Sequence, residues 1–184
     1  MNTIFLTFFA SVVFSAGVAL PVSAGEIRFW EMPKGCNWTT EYSDGNTWIS
    51  TYKGKRSGRY IVTTKNNSAG NEQINTTEYN ERGLMTRRVW SGNKWESFEP
   101  HTCFGVTGKC SYTYRNADGT VAKTTSKTTR INSTTYRVRA KSEKSASYAT
   151  DTVKTTYFGL TQSSRNANFS SKLVELRNCN VPVS

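Results

Sequence analysis

The chain has 184 residues and a net charge of +11 at neutral pH, from 24 Lys and Arg against 13 Asp and Glu. That length supports one domain with one core rather than a multidomain assembly. With one histidine and no glycine-rich phosphate loop, dinucleotide fingerprint or calcium loop, the familiar nucleotide and calcium motifs are excluded as well.

The first element predicted is an export signal. Residues 1–20 hold an apolar run without a charged side chain, Pro21 breaks it, and Val22, Ser23 and Ala24 supply the small residues a signal peptidase reads. Cleavage is expected between Ala24 and Gly25, giving residues 1–24 as a removed signal peptide and 25–184 as a single all-β domain. No Lys or Arg precedes the run, which is near the ~18-residue spanning threshold, so a retained anchor is the alternative. The expected product is soluble, periplasmic or secreted, with no transmembrane segment after cleavage. All the charged residues stay with it, so the exported part is strongly basic.

Few aliphatic residues and a high net charge are the composition of a disordered chain. Five Trp and nine Tyr argue instead for an ordered, aromatic core. Four cysteines in an oxidising compartment argue the same way. They allow three pairings. Cys103 and Cys110 enclose a segment with two glycines that suits a tight reversal, and Cys36 and Cys179 stand near the two ends of the mature chain. We therefore expect Cys103–Cys110 as a local clip and Cys36–Cys179 as a clasp. A zinc site is the rival reading, but there is no C-x₂-C pair and only His101 lies nearby. No metal or cofactor is expected.

Beyond the signal, Thr, Tyr, Val and Trp recur in short runs separated by Gly, Asn, Asp and Ser, a pattern of strands and turns. Residues 48–52 and 59–64 flank a five-residue loop at 54–58. Strands follow at 72–79, 84–90, 94–98 and 111–115, the last leading into a turn at 116–119. From residue 120 the strands lengthen to about ten residues. The last segment, 169–177, is the most apolar and is expected to be central or covered, with a short helix as the alternative. Three echoes, Tyr42 to Gly45, Tyr79 to Gly83 and Tyr114 to Gly119, each set a Tyr at a strand end and a Gly at a turn. They express shared hairpin chemistry and identify no family. The expected fold is an all-β antiparallel meander of eight to ten strands, curled into an open barrel, a half-barrel or a two-layer sandwich.

One hairpin carries a functional reading. A turn at Asn132-Ser133 with an even loop puts Ile131 on the face of Tyr136 and Val138, and Arg130, Arg137 and Arg139 on the opposite face. An odd loop exchanges Ile131 onto the arginine side. Burial favours the even loop, which leaves Lys127 on the apolar side. The basic face of Arg130, Arg137, Arg139 and Lys141, with Lys123 and Lys127 near it, is suited to phosphate, carboxylate or sulfate groups. Tyr136, Tyr112 and Tyr114 could stack on sugars or bases there. An anionic envelope polymer or glycan is the expected partner, and nucleic acid is disfavoured because an exported protein seldom meets it. The ordinary alternative is a solvated, edge-blunting surface.

Three other places carry residue types suited to chemistry or binding. His101 with Glu99 could form the base of a small hydrolase, but no nucleophile elbow exists and a loop histidine is the simpler reading. Glu96 and Glu99 are the closest carboxylates in an aromatic setting, although spacing alone cannot make them a glycosidase pair. The tryptophans are expected as core in place of the missing Leu and Ile, with one or two at a barrel mouth. The leading functional expectation is a non-enzymatic binding or envelope protein. The alternatives are a carrier of an apolar small ligand inside the curled sheet and a hydrolase using His101.

Overall fold

The computed structural model describes residues 26–66, 73–103, 106–145 and 147–180; the predicted signal segment and its cleavage position lie outside them. Twelve strands are present among the described residues: β1 (Asn37–Tyr42), β2 (Thr47–Arg56), β3 (Arg59–Asn66), β4 (Ile74–Tyr79), β5 (Met85–Trp90) and β6 (Trp95–Glu99), then β7 (Gly108–Asn116), β8 (Val121–Arg130), β9 (Thr135–Ser142), β10 (Ala149–Thr155), β11 (Thr161–Arg165) and β12 (Ser170–Arg177). Each pairs antiparallel with its neighbour in sequence, and β12 returns to β1, so the expected meander closes into a barrel. The final segment is a strand, not a helix. The strand count exceeds the expected eight to ten. Short polar β11, TQSSR, has no apolar alternation to mark it.

The alternation that builds the wall is clearest in β8, where exposed Val121, Lys123, Thr125 and Lys127 interleave with buried Ala122, Thr124, Ser126 and Thr128. At β2–β3 the strands run further than their flanking glycines implied. Gly54 lies in a bulge rather than a loop, and the reversal is the two-residue turn Ser57-Gly58, both with positive φ.

The β8–β9 hairpin departs from the even-loop expectation. Arg130 pairs with Tyr136 and Thr128 with Val138, which leaves a three-residue turn at 132–134. The Asn132 side chain decides this, since its Oδ1 accepts hydrogen bonds from the backbone N–H groups of Thr134 and Thr135. Three corrections follow. Ile131 is half-exposed rather than buried beside Val138. Lys127 faces outward, directly opposite Arg139. Arg130 leaves the face of Arg137 and Arg139, and its guanidinium donates to the carbonyls of Asn132 and Ser133.

One end of the barrel is stoppered by residues 26–36. The N–H of Arg28 donates to the Phe158 carbonyl at 2.9 Å and that of Ile27 to the Gly83 carbonyl at 3.3 Å, so the segment crosses between the β4–β5 and β10–β11 turns. Phe29, in a single 3-10 turn (Phe29–Glu31), sits among Tyr52, Tyr60 and Tyr79 with ring centroids 4.8–5.1 Å apart. Met32, Trp38, Val62, Phe158 and Leu160 complete this core. Both expected disulfides are present. Cys36–Cys179 fastens the stopper to the chain beyond β12, and Cys103–Cys110 clips the entry to β7. With its cysteines 143 positions apart in the sequence, the clasp removes about 5 kcal/mol of denatured-state entropy in the loop-closure model.

No helix among the described residues is long and apolar enough to cross a membrane. The outer wall also carries Lys127, Arg137 and Arg139 in mid-strand, where a membrane-spanning barrel presents an apolar band.

Candidate functional site

Closure creates an interior that sequence spacing alone did not reveal. Above the stopper lies a cavity of about 690 Å³, with Ile27 of the stopper at its floor; Met85, Gly159 and Leu160 line it, together with Trp38 and Tyr79 of the stopper core and with Tyr42, Trp48, Trp90 and Phe169. Three of the five tryptophans, Trp38, Trp48 and Trp90, therefore line a cavity, Trp38 belonging to the stopper core as well, while Trp30 is exposed. Polar groups alternate with the rings because each strand sends every second residue inward. Thr40, Ser50, Thr64, Asn75, Thr77, Ser164 and Ser171 all line the same space.

Arg88 is the charged residue among the cavity's lining groups, and its guanidinium is held from several sides. Its Nη1 lies 3.3 Å from Glu96 Oε1, its Nε donates to Thr77 Oγ1 at 3.4 Å, and it rests 5.6 Å from the Trp90 ring centroid. Burial raises the pKa of Glu96, opposed by Arg88 and by a hydrogen bond from Tyr114. Burial likewise raises Tyr42 and Tyr79, with Arg88 pulling both down. Glu96 thus faces the interior beside Arg88, whereas Glu99 is exposed and pairs with Arg115 at 3.6 Å. The two carboxylates lie on opposite sides of the wall and form no acid–base pair. His101 Nδ1 donates to the Thr102 carbonyl at 2.9 Å, and neither His101 nor Glu99 lines the cavity. Among the described residues no group of three or more His, Cys, Asp or Glu could hold a metal ion.

The basic residues gather on the outer wall of β7–β11. Lys109, Lys127 and Arg139 occupy directly opposed positions on three consecutive strands, a row with the ~4.8 Å strand spacing. Arg137 and Lys141 flank Arg139 along β9, and Arg165 shares a row with Arg137 through Thr152. The Tyr148 ring lies 5.0 Å from the Arg139 guanidinium and 5.6 Å from Lys141 Nζ. The tyrosines expected on this face are elsewhere. Tyr136 is 2% exposed inside the barrel, and Tyr112 and Tyr114 pack against buried Phe98. Tyr148 takes their place, and its position in a turn gave no strand parity by which to find it.

Charge is divided unevenly around the barrel. Lys55 with Glu81, Arg59 with Glu78, Arg82 with Glu26 and Arg88 with Glu96 pair on or beside β2–β6. Among the described residues, no ion pair involves Lys109, Lys127, Arg137, Arg139, Lys141 or Arg165. Compared with known proteins, the chain matches no family model, and neither a similar curated protein nor a similar solved structure was found.

Proposed function

We propose that this chain is an exported, non-enzymatic binding protein whose cationic outer wall docks onto an anionic envelope polymer or glycan. The row Lys109, Lys127 and Arg139 carries the reading. Like charges set directly opposite on neighbouring strands destabilise a sheet. Here they stand together without acidic partners while cations across the barrel are paired. A polyanion supplies the missing counter-charge, and the field of the whole wall draws it in.

Binding of an acidic polysaccharide such as polygalacturonate to the mature protein tests this. It should weaken steeply between low salt and 0.3 M NaCl, where screening shortens the reach of surface charge to less than ~10 Å. It should also fall in Lys127→Thr and Arg139→Thr. Salt-insensitive binding, or binding unchanged in both variants, overturns the proposal. Export is tested alongside by the intact mass of the secreted product, which should begin at Gly25.

The carrier reading is favoured by the cavity inside the barrel, but the mixed lining fits poorly with a purely apolar ligand. The hydrolase reading gains no support, because Glu99 and His101 are engaged with Arg115 and the Thr102 carbonyl instead of with each other.

A further inference from the structure

The geometry of the interior points to a second binding site, and we infer that it takes a small neutral saccharide. The register carries the argument. Trp38 pairs with Ser50, Ser50 with Thr64, Thr64 with Asn75 and Asn75 with Trp90, across β1 to β5. All five line the cavity, so two indoles bracket a row of two hydroxyls and an amide on one inward arc. Sugar rings present an apolar C–H face above and below and hydroxyls around the rim, and this arc offers the complement of both. An indole gives a flat apolar surface. Hydroxyl and amide groups fix orientation, as the few polar groups of a ligand pocket do.

Three further observations narrow the class. Ser50 Oγ and Thr64 Oγ1 are 3.0 Å apart, and Ser164 Oγ and Ser171 Oγ 2.8 Å. Each hydroxyl carries one donor and two acceptor sites, so these pairs keep capacity for a ligand. An aliphatic chain filling the cavity would cover those groups and Arg88 while offering them nothing, which is unfavourable. Arg88 is already neutralised by Glu96, so the interior does not call for an anion as the outer wall does. The volume, about 690 Å³, falls within the ~300–1,000 Å³ of pockets that enclose compact ligands.

The test is a glycan array of neutral mono- to tetrasaccharides probed with the mature protein, followed by tryptophan-emission titration of the strongest hit. The expected result is a saturable emission change, about tenfold weaker in Ser50→Ala through loss of a hydrogen bond. In Trp90→Leu the binding should be lost, with thermal melts confirming that both variants fold. A silent array overturns the inference. So does a saturable emission change with palmitate in place of sugars, which would make the barrel an apolar carrier. Sugar binding that survives both interior variants but disappears in Lys127→Thr would place the saccharide on the outer wall and equally overturn it.

Discussion

The carbonyl oxygen of Ile27 lies 2.0 Å from where a side-chain carbon on Gly83 would sit. The stopper segment can cross the barrel end at this depth only because the β4–β5 turn carries no side chain there. Gly159 does the same on the far side, where a Cβ would lie 2.2 Å from the Glu26 carbonyl. Both have positive φ, 73° and 78°. Gly83→Ala should therefore lower unfolding stability by about 2–4 kcal/mol, combining left-handed strain with displacement of the stopper. Gly45 provides the comparison: its φ is 83°, yet nothing lies within 4 Å of its Cβ position. Gly45→Ala should cost only the ~1 kcal/mol of backbone strain. Equal urea midpoints for the two variants would show that the close crossing contributes nothing.

The two disulfides should differ in worth. The cysteines of Cys36–Cys179 lie 143 positions apart in sequence and those of Cys103–Cys110 lie 7. Loop-closure entropy assigns about 5 kcal/mol to the first and about 2 kcal/mol to the second. The clasp also holds the stopper against the end of the barrel, so its loss opens the floor of the cavity. Cys36→Ser/Cys179→Ser should unfold at a much lower denaturant concentration than Cys103→Ser/Cys110→Ser. The reverse order would mean that the clip, not the clasp, organises the fold.

Much of this architecture is legible in the chain, and the parts that are not have physical reasons. The succession of strands and turns, the strand at Ser170–Arg177 and the pairing of the four cysteines follow from local composition and chain position. The parity of the β8–β9 turn does not, because the single side chain of Asn132 settles it against the burial preference of Ile131. The outward placement of Lys127 and the departure of Arg130 from the basic face both descend from that one turn. The cavity is invisible for another reason. An indole reads as core in sequence whether or not a neighbour fills the space before it, and only the closure of twelve strands leaves Trp38, Trp48 and Trp90 around a void. A trace of the interior charge is nonetheless present. In MTRRVW, Arg88 and Trp90 share an alternation, so an arginine two residues from a tryptophan signals a charged inward position.

The cationic row implies an opposition between stability and binding. Lys127 stands between Lys109 and Arg139 on adjacent strands. Replacing it with Thr, which suits a strand, should raise stability by about 0.2–0.5 kcal/mol at low ionic strength. The gain should disappear at 1 M salt, where the Debye length is about 3 Å. The same substitution should weaken polyanion binding. Chemical denaturation by urea at two salt concentrations is the measurement, urea being uncharged. A Lys127→Thr variant less stable at low salt would show that the row is not repulsive and would remove the energetic argument for a bound polyanion.

Glu96 gives the interior a pH dependence of defined sign. Burial raises its pKa above the ordinary 4.5, and the opposing pull of Arg88 and the Tyr114 hydrogen bond is smaller. A carboxyl whose folded pKa exceeds its unfolded one contributes stability that is complete below the unfolded value and is lost as pH rises through the folded value. Glu96→Gln does not titrate, and in acid it resembles the protonated wild type, since Arg88 then lacks a charged partner in both. The variant should match the wild type near pH 4 and gain on it as the pH rises toward 7. Urea midpoints across that range check it. If the variant instead falls behind with rising pH, attraction to Arg88 outweighs burial, and the pair is a net stabiliser of the barrel interior.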